Sequence, residues 1–224
     1  MQTKTKKMTL MAMMAALAYV VMWLSKVTLI GAIVLVPAAP FLQYDPKDVV
    51  IVIAAFLMGP LYGFVISLLV SLVEMITISD TGYIGCIMNI ISTCCFVCPA
   101  AFIYKKMKTQ KGAVIGLAVG CVLVTIAMVL WNYLITPLYM GMDRATVAGM
   151  LLPVFVPFNL LKAGINMAIT LILYKPIVRI LRKAGLVEAS TGGAGEQKKS
   201  KLGTWVLGIF LLITCIVCIL VMKG

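Results

Sequence analysis

Three polar side chains that interrupt one strongly apolar stretch are the residues of this chain best suited to bind a solute. Asn159, Lys162 and Asn166 are spaced by three and four positions, so a helix would present all three on one face. Lys162 lies about 11 residues into the stretch, or roughly 16 Å along a helix, which is too deep in a bilayer for easy contact with water. Two amides and an ammonium group offer donors and acceptors to a heteroaromatic or hydroxylated solute. The alternative is that Lys162 pairs with Glu74 or with backbone carbonyl groups and ties two helices together.

Further polar positions could complete such a site. Asn132 stands between Trp131 and Tyr133, which suits stacking on and hydrogen bonding to a flat polar ring, although aromatic residues also gather at membrane surfaces. Asp48 opens another apolar run, where its carboxylate could accept a ligand hydroxyl or simply favour a helix N-terminus. Gly85, near the start of a later run, would let the backbone approach a ligand closely. The same run adds three polar side chains: Asn89, Ser92 and Thr93.

The elements that must position these side chains are membrane helices. Of the 224 residues, 63% are hydrophobic and only 12% are charged, and the mean hydropathy is +1.13. These values exclude a water-soluble globular protein, a disordered chain, a coiled coil and a collagen. Seven apolar runs predict helices: 9–25, 48–59, 61–78, 83–104, 113–139, 151–174 and 204–222. The second of these runs is short because Gly59-Pro60 ends it.

We therefore predict an all-α integral membrane protein with three parts. Residues 1–183 form a substrate-binding membrane domain of six helices, and 184–202 form a polar linker. Residues 203–224 form an additional C-terminal transmembrane segment that lies in the lipid bilayer like the other helices.

The positive charges predict how the chain crosses the membrane. Of the 19 Lys and Arg residues, 14 fall on one side of the predicted bundle, four fall on the other, and Lys162 lies within a helix. Because basic residues favour the cytoplasmic side, the N-terminus is predicted to be cytoplasmic, in a multi-pass protein of the plasma membrane. The candidate binding residues then lie toward the outer face. The net charge of +12 reports topology in this setting and does not imply a nucleic-acid partner.

Small residues repeat every four positions on three of the predicted helices, which keeps each set on one helix face. Such faces allow close contact between helices in lipid. For two of them we expect contacts within the chain, whereas for the Ala12 and Ala16 face contact with another subunit is a serious alternative. The three sets are Ala12 and Ala16; Gly63, Ser67 and Ser71; and Gly112, Gly116 and Gly120.

The residues needed for several kinds of catalytic site do not occur in the sequence. It has no histidine, no P-loop motif to bind ATP, and no carboxylate pair or nucleophile with a base. The chain is therefore predicted not to be an enzyme and to hold no metal or cofactor. Two C-x-x-C pairs, at 95–98 and 215–218, lie in apolar runs without basic neighbours and are interpreted as packing residues. Alternatives from other classes are a membrane thiol oxidoreductase that uses these pairs and a purely structural membrane subunit.

Several segments together carry a family resemblance that extends from about residue 8 to residue 182. They are P-F-L-Q-Y-D-P-K-D at 40–48, F-L-M-G-P-L-Y-G at 56–63, S-D-T-G at 79–82, W-N-Y at 131–133 and P-F-N-L-L-K at 157–162. In these segments the chain resembles the substrate-binding S components of energy-coupling factor (ECF) transporters. More narrowly, it is similar to the riboflavin-specific S component.

The resemblance implies a bundle of six helices with a vitamin pocket near the outer face. Riboflavin would be a transported ligand in that pocket and not a cofactor. The positions that match the flavin-binding residues of the family are Asn132, Asn159 and Lys162, with weaker matches at Asp48, Gly85, Phe41 and Leu42.

The resemblance also implies protein partners. Ala12 and Ala16 match the face that docks on the transmembrane T component, and two separate ATPase subunits would drive uptake. Within the family, the alternatives are S components for pantothenate, folate or thiamine. The seventh predicted helix departs from the six helices of the family.

Overall fold

The computed structural model describes residues 4–28, 35–36, 42–79, 81–186 and 197–223. Within these ranges the backbone is almost entirely helical, which confirms the predicted all-α fold. The elements are α1 (Lys4–Val27), α2 (Lys47–Met58), α3 (Pro60–Thr77), α4 (Gly82–Met107), α5 (Gln110–Met140), α6 (Arg144–Met150), the π-helical stretch Leu151–Phe155, α7 (Val156–Lys183) and α8 (Gln197–Lys223).

Six helical segments in the described part of the chain are long and apolar enough to cross a membrane. They are α1, α3, α4, α5, the continuous segment Arg144–Lys183, and Gly203–Met222 of α8. Helix α2 has only 12 residues and reaches about 18 Å, which agrees with the short second helix predicted from Gly59-Pro60. Large apolar side chains such as Leu61, Ile76 and Leu138 face outward, as expected for a surface in contact with lipid.

The predicted sixth helix, 151–174, differs most from the structure. The sequence places a connection at 141–149, whereas helical backbone continues from Arg144 to Lys183. Pro153 lacks a backbone N–H and would normally interrupt an α-helix. It lies in the π-helical stretch, whose wider turns accommodate it, so the expected break does not occur. Asp143 begins the segment by accepting a hydrogen bond from the backbone N–H of Ala145 at 3.0 Å.

Close contacts at glycine hold the middle of the bundle together. A Cβ added at Gly63 of α3 would lie 2.8 Å from the Cβ of Ala55 and 2.9 Å from a methyl group of Val97. A Cβ added at Gly116 of α5 would lie 2.7 Å from the carbonyl oxygen of Ala100, and one at Gly120 would collide with the backbone of α4. The small-residue faces of α3 and α5 therefore pack within the chain, as predicted.

The two ends of the bundle can be identified from contacts between helix termini. At one end Tyr19 near the end of α1 donates a hydrogen bond to Thr77 at the end of α3. At the other end Thr204 of α8 donates to Gln110 at the start of α5, at 2.7 Å. The basic termini of α4 and α7, with Lys105, Lys106, Arg182 and Lys183, lie at this second end. We call it the basic end.

Helix α1 packs on the bundle through one stripe and leaves the predicted alanine face outside. Its core side is formed by residues spaced every four positions, among them Leu10, Met14 and Ala18. Ala12 and Ala16 point away from this side and are exposed. Contacts within the described part of the chain therefore do not explain the two alanines.

Candidate binding site

A small cavity lies where α2, α4, α5 and α7 meet. Four of its lining residues come from α7, because the spacing of 159, 162, 163 and 166 turns them to one side of that helix. The complete lining is Asp48, Ser92, Phe96, Val124, Asn159, Lys162, Ala163 and Asn166. The structure therefore brings the polar face of α7 together with the carboxylate at the start of α2.

A chain of hydrogen bonds fixes the carboxylate of Asp48, which is almost fully buried. Thr93 Oγ1 donates to Asp48 Oδ1 at 2.7 Å, and Asn166 Nδ2 donates to Asp48 Oδ2 at 3.4 Å. Tyr44 Oη in turn donates to Asn166 Oδ1 at 2.7 Å. These bonds tie the start of α2 to α4 and α7 and present a fixed acceptor to the cavity.

Lys162 reaches the cavity without a direct partner among the described residues. Its side chain is half-buried, and no hydrogen bond or ion pair joins it to the part of the chain that the structure describes. The interhelical pair with Glu74, considered above as the alternative, is wrong, because Glu74 is bound to other cations. The ammonium group of Lys162 is therefore available to a bound solute.

Glu74 instead belongs to a charged cluster at the start of α2, centred on buried Lys47 and Glu74. We define the charged cluster as Lys26, Asp45, Lys47 and Glu74, with the amide of Asn89 bound to it. Lys47 Nζ lies 2.6 Å from Asp45 Oδ2 and 2.6 Å from Glu74 Oε2. Glu74 is also 3.4 Å from Lys26 Nζ and accepts a hydrogen bond from Asn89 Nδ2 at 3.0 Å. The cluster fixes the position of Lys47, which directly precedes Asp48.

Two neighbouring ammonium groups, one in the cluster and one in the cavity, set the ionisation of Asp45, which lies between α1 and α2. Burial opposes the charged carboxylate, but the ammonium groups of Lys47 and Lys162 outweigh it and hold the pKa of Asp45 below its usual range. Asp45 therefore stays ionised at neutral pH and keeps Lys47 fixed beside Asp48.

Sequence reasoning missed Tyr44 and the burial of Lys47. Lys47 is one of the four basic residues predicted on the outer side of the membrane, but its side chain is only 2% exposed. The signal that could have found it is the group of alternating charges at 45, 47 and 48 directly before an apolar run. Charges so close to an apolar helix are expected to pair with one another or with an opposite charge on a neighbouring helix.

The remaining predicted residues lie outside the cavity lining. Asn132 is buried two helical turns beyond Val124 on α5, where it donates to the Met128 carbonyl at 2.7 Å and accepts from Thr136 at 2.9 Å. Gly85 lies in the first turns of α4, where an added Cβ would collide with the side chain of Thr81. Leu42 packs in an apolar cluster with Tyr44, Val154 and Phe158, and Phe41 lies outside the described residues.

The chemistry of the cavity suits reversible binding of an uncharged polar molecule. Asp48 and Lys162 carry opposite charges, and Asn159 and Asn166 add amide groups. Phe96, Val124 and Ala163 supply apolar walls for a flat ring. A neutral solute can enter this site without leaving an unbalanced buried charge.

The comparisons with known proteins agree with one another. A family model described as "ECF transporter, substrate-specific component" matches residues 6–174. The riboflavin transporter RibU of Streptococcus thermophilus is 30% identical over 191 residues, which cover 81% of this chain and 87% of that protein. The riboflavin transporter FmnP of Bacillus subtilis is 30% identical over 174 residues, which cover 71% of this chain and 85% of that protein.

A solved structure, that of the S component of a bacterial ECF transporter, resembles the fold. The TM-score is 0.66 at 25% sequence identity, and the match covers 80% of this chain and 99% of that one.

Proposed function

The chain belongs to the family of substrate-specific components of ECF transporters, and from this premise we propose that it captures riboflavin for import across the membrane. It is a multi-pass membrane protein and not an enzyme, because the members of this family are components of transporters. The thiol oxidoreductase considered above is therefore set aside. The observation that carries the proposal is the convergence of Asp48, Asn159 and Lys162 on one cavity.

Each of these side chains suits one part of riboflavin. The flavin ring carries carbonyl oxygens and ring nitrogens that accept hydrogen bonds, and Lys162 and Asn159 are donors at the same wall of the cavity. The sugar-alcohol chain of riboflavin carries hydroxyl groups, which can donate to the carboxylate of Asp48. Phe96 provides an apolar surface for the ring.

The ligand is larger than the cavity, so we propose that it extends along α5 toward Asn132. Hydrogen bonds with Met128 and Thr136 already orient the Asn132 side chain. Asn132 lies farther along α5 from the basic end than Val124 does. Gly85, Leu42 and Phe41 are proposed as further pocket residues on the family resemblance alone.

A competition experiment tests which vitamin is bound. Purified protein is expected to quench the fluorescence of riboflavin, and an excess of pantothenate, folate or thiamine is expected not to restore it. Competition by one of these three would assign the chain to that vitamin instead. Absence of quenching at micromolar riboflavin would end the riboflavin proposal.

We further propose that the basic end faces the cytoplasm and that the site opens toward the outside of the plasma membrane. The support is the position of the basic termini of α4 and α7 at one end of the bundle. Asp48 and Thr93 lie nearer the middle of the bundle, and the start of α4 leads from them toward the opposite end. Gly141→Cys tests this orientation, because Gly141 follows the end of α5 away from the basic end. A cysteine-labelling reagent that cannot cross the membrane is expected to label this variant on whole cells.

The partners proposed for uptake are a transmembrane T component and two ATPase subunits. The exposed face of α1 that carries Ala12 and Ala16 is the proposed docking surface for the T component, because small residues allow close approach of another helix.

Ala12→Trp is therefore expected to abolish riboflavin uptake by cells while leaving riboflavin binding by the purified protein unchanged. A large ring at this position separates the two helix backbones but does not touch the cavity. The matched control is Ile126→Trp, on an exposed part of α5, which is expected to retain uptake. Normal uptake by the Ala12→Trp variant would rule out docking through this face.

A further inference from the structure

Helix α8 lies beyond residues 6–174, which match the family model, yet it packs closely on the helix that carries the binding residues. Its inward stripe follows helical spacing and includes Gly208, Leu211, Cys215, Ile219 and Met222. The opposite side of α8 is apolar and exposed. The helix therefore has one face suited to lipid and one face that contacts the bundle.

The contact between α8 and α7 is antiparallel, because later residues of α8 meet earlier residues of α7. At one end a Cβ added at Gly208 would lie 2.9 Å from Ile172 Cγ1 and 3.1 Å from the carbonyl oxygen of Ala168. At the other end Met222 packs in the cluster that contains Phe158.

The middle of the contact is equally close. A Cβ added at Gly164 of α7 would lie 3.2 Å from the sulfur atom of Cys215. Gly164 and Ala168 on α7, with Gly208 and Cys215 on α8, are all small, which lets the two backbones approach each other. Between Gly208 and Cys215 the close packing therefore extends over about two turns of each helix.

This contact lies on the side of α7 opposite the residues that line the cavity. Lys162 and Gly164 are two positions apart on α7, as are Asn166 and Ala168, and two positions correspond to about 200° of rotation around a helix. Lys162 and Asn166 face the cavity, whereas Gly164 and Ala168 face α8. A rotation of α7 about its axis would therefore change both faces together.

We propose that α8 is a positioning element of the binding site, which sets the rotation and axial register of α7 and so aims Lys162 and Asn166 into the cavity. This inference rests on the riboflavin site proposed above. Gly208 is its main positioning residue, because the backbone and side chain of α7 leave no room for a larger residue there. The helix acts through α7 and does not touch the ligand.

Gly208→Leu tests the proposal, with Gly203→Leu as the matched control in the same helix. A Cβ at Gly203 meets nothing within 4 Å, so this variant changes helix propensity and volume without disturbing α7. We expect Gly208→Leu to raise the Kd for riboflavin about tenfold and to speed its release. We expect Gly203→Leu to keep the Kd within about twofold of wild type.

Two further variants separate positioning from general loss of structure. Gly208→Ala adds only the Cβ, which is expected to raise the Kd by about threefold. Gly208→Leu combined with Ile172→Ala removes the nearest side-chain atoms and is expected to recover part of the affinity. All titrations are made well below the thermal unfolding temperature of each variant, so that only folded protein is compared.

The outcomes distinguish this inference from the proposed function. If wild-type protein fails to bind riboflavin, the proposed function is wrong. If wild type binds but the Gly208→Leu and Gly208→Ala variants bind equally well, α8 does not position the site and the inference is overturned.

Discussion

Lys162→Met is expected to remove high-affinity riboflavin binding and to lower the unfolding temperature of the ligand-free protein less than Lys47→Met does, because Lys162 also helps keep the Asp45 carboxylate ionised. A hydrogen bond from a charged donor contributes about 1.5–3 kcal/mol, so its loss raises the Kd by roughly 10- to 150-fold. Methionine keeps most of the side-chain volume. Lys162 makes no direct polar contact with the described residues, so the substitution breaks none of their hydrogen bonds.

The difference between binding and stability makes this variant informative. Fluorescence quenching gives the Kd, and thermal unfolding in detergent without ligand gives the stability. Lys105→Met, on the exposed basic end, is the matched control and is expected to change neither quantity. Retained affinity in Lys162→Met would remove Lys162 from the site.

Lys47→Met is expected to cause the largest loss of stability of any single charge removal in the described part of the chain. The substitution leaves the carboxylates of Asp45 and Glu74 buried without their shared cation, and breaking a buried pair on one side costs about 3–5 kcal/mol. Lys26→Met removes a pair at 3.4 Å whose lysine side chain is 31% exposed, so its expected cost is below about 1 kcal/mol.

A double variant identifies the cause of that loss. Lys47→Met with Glu74→Met removes both charges of the most buried pair, so we expect it to be more stable than Lys47→Met alone. Thermal unfolding in detergent compares the four proteins. If Lys47→Met unfolds at the same temperature as Lys26→Met, then the charged cluster does not stabilise the start of α2.

The helices were predictable because long apolar runs have few other stable structures in a membrane. Their ends were less predictable where proline occurs. Pro153 was expected to lie near a helix start, but a π-helical stretch contains it and the helix begins earlier, at Arg144. Local sequence does not decide between a break and a wider turn, because the neighbouring helices supply the packing that favours the latter.

The arrangement of the candidate site was predictable where helical spacing carries the information. The positions of Asn159, Lys162 and Asn166 on one face follow from their spacing, and Asp48 follows from its place before an apolar run. Tyr44 and Lys47 lie in or next to a connection without periodicity, and their partners Asn166 and Glu74 are distant in sequence. Only the packed bundle brings such residues together.

The C-terminal helix shows the same difference between an element and its contacts. Its apolar run predicted a helix, and Cys215 was interpreted correctly as a small packing residue. The antiparallel register against α7 was not predictable, because small residues indicate that a helix can pack closely but not which helix it meets.

The position of riboflavin in a crystal structure of the complex tests the central claim most directly. We predict that the flavin ring lies between α4 and α7, within hydrogen-bond distance of Lys162 and Asn159, with a hydroxyl of its side chain on Asp48. Riboflavin bound at a site that includes none of these three residues would contradict the proposed site.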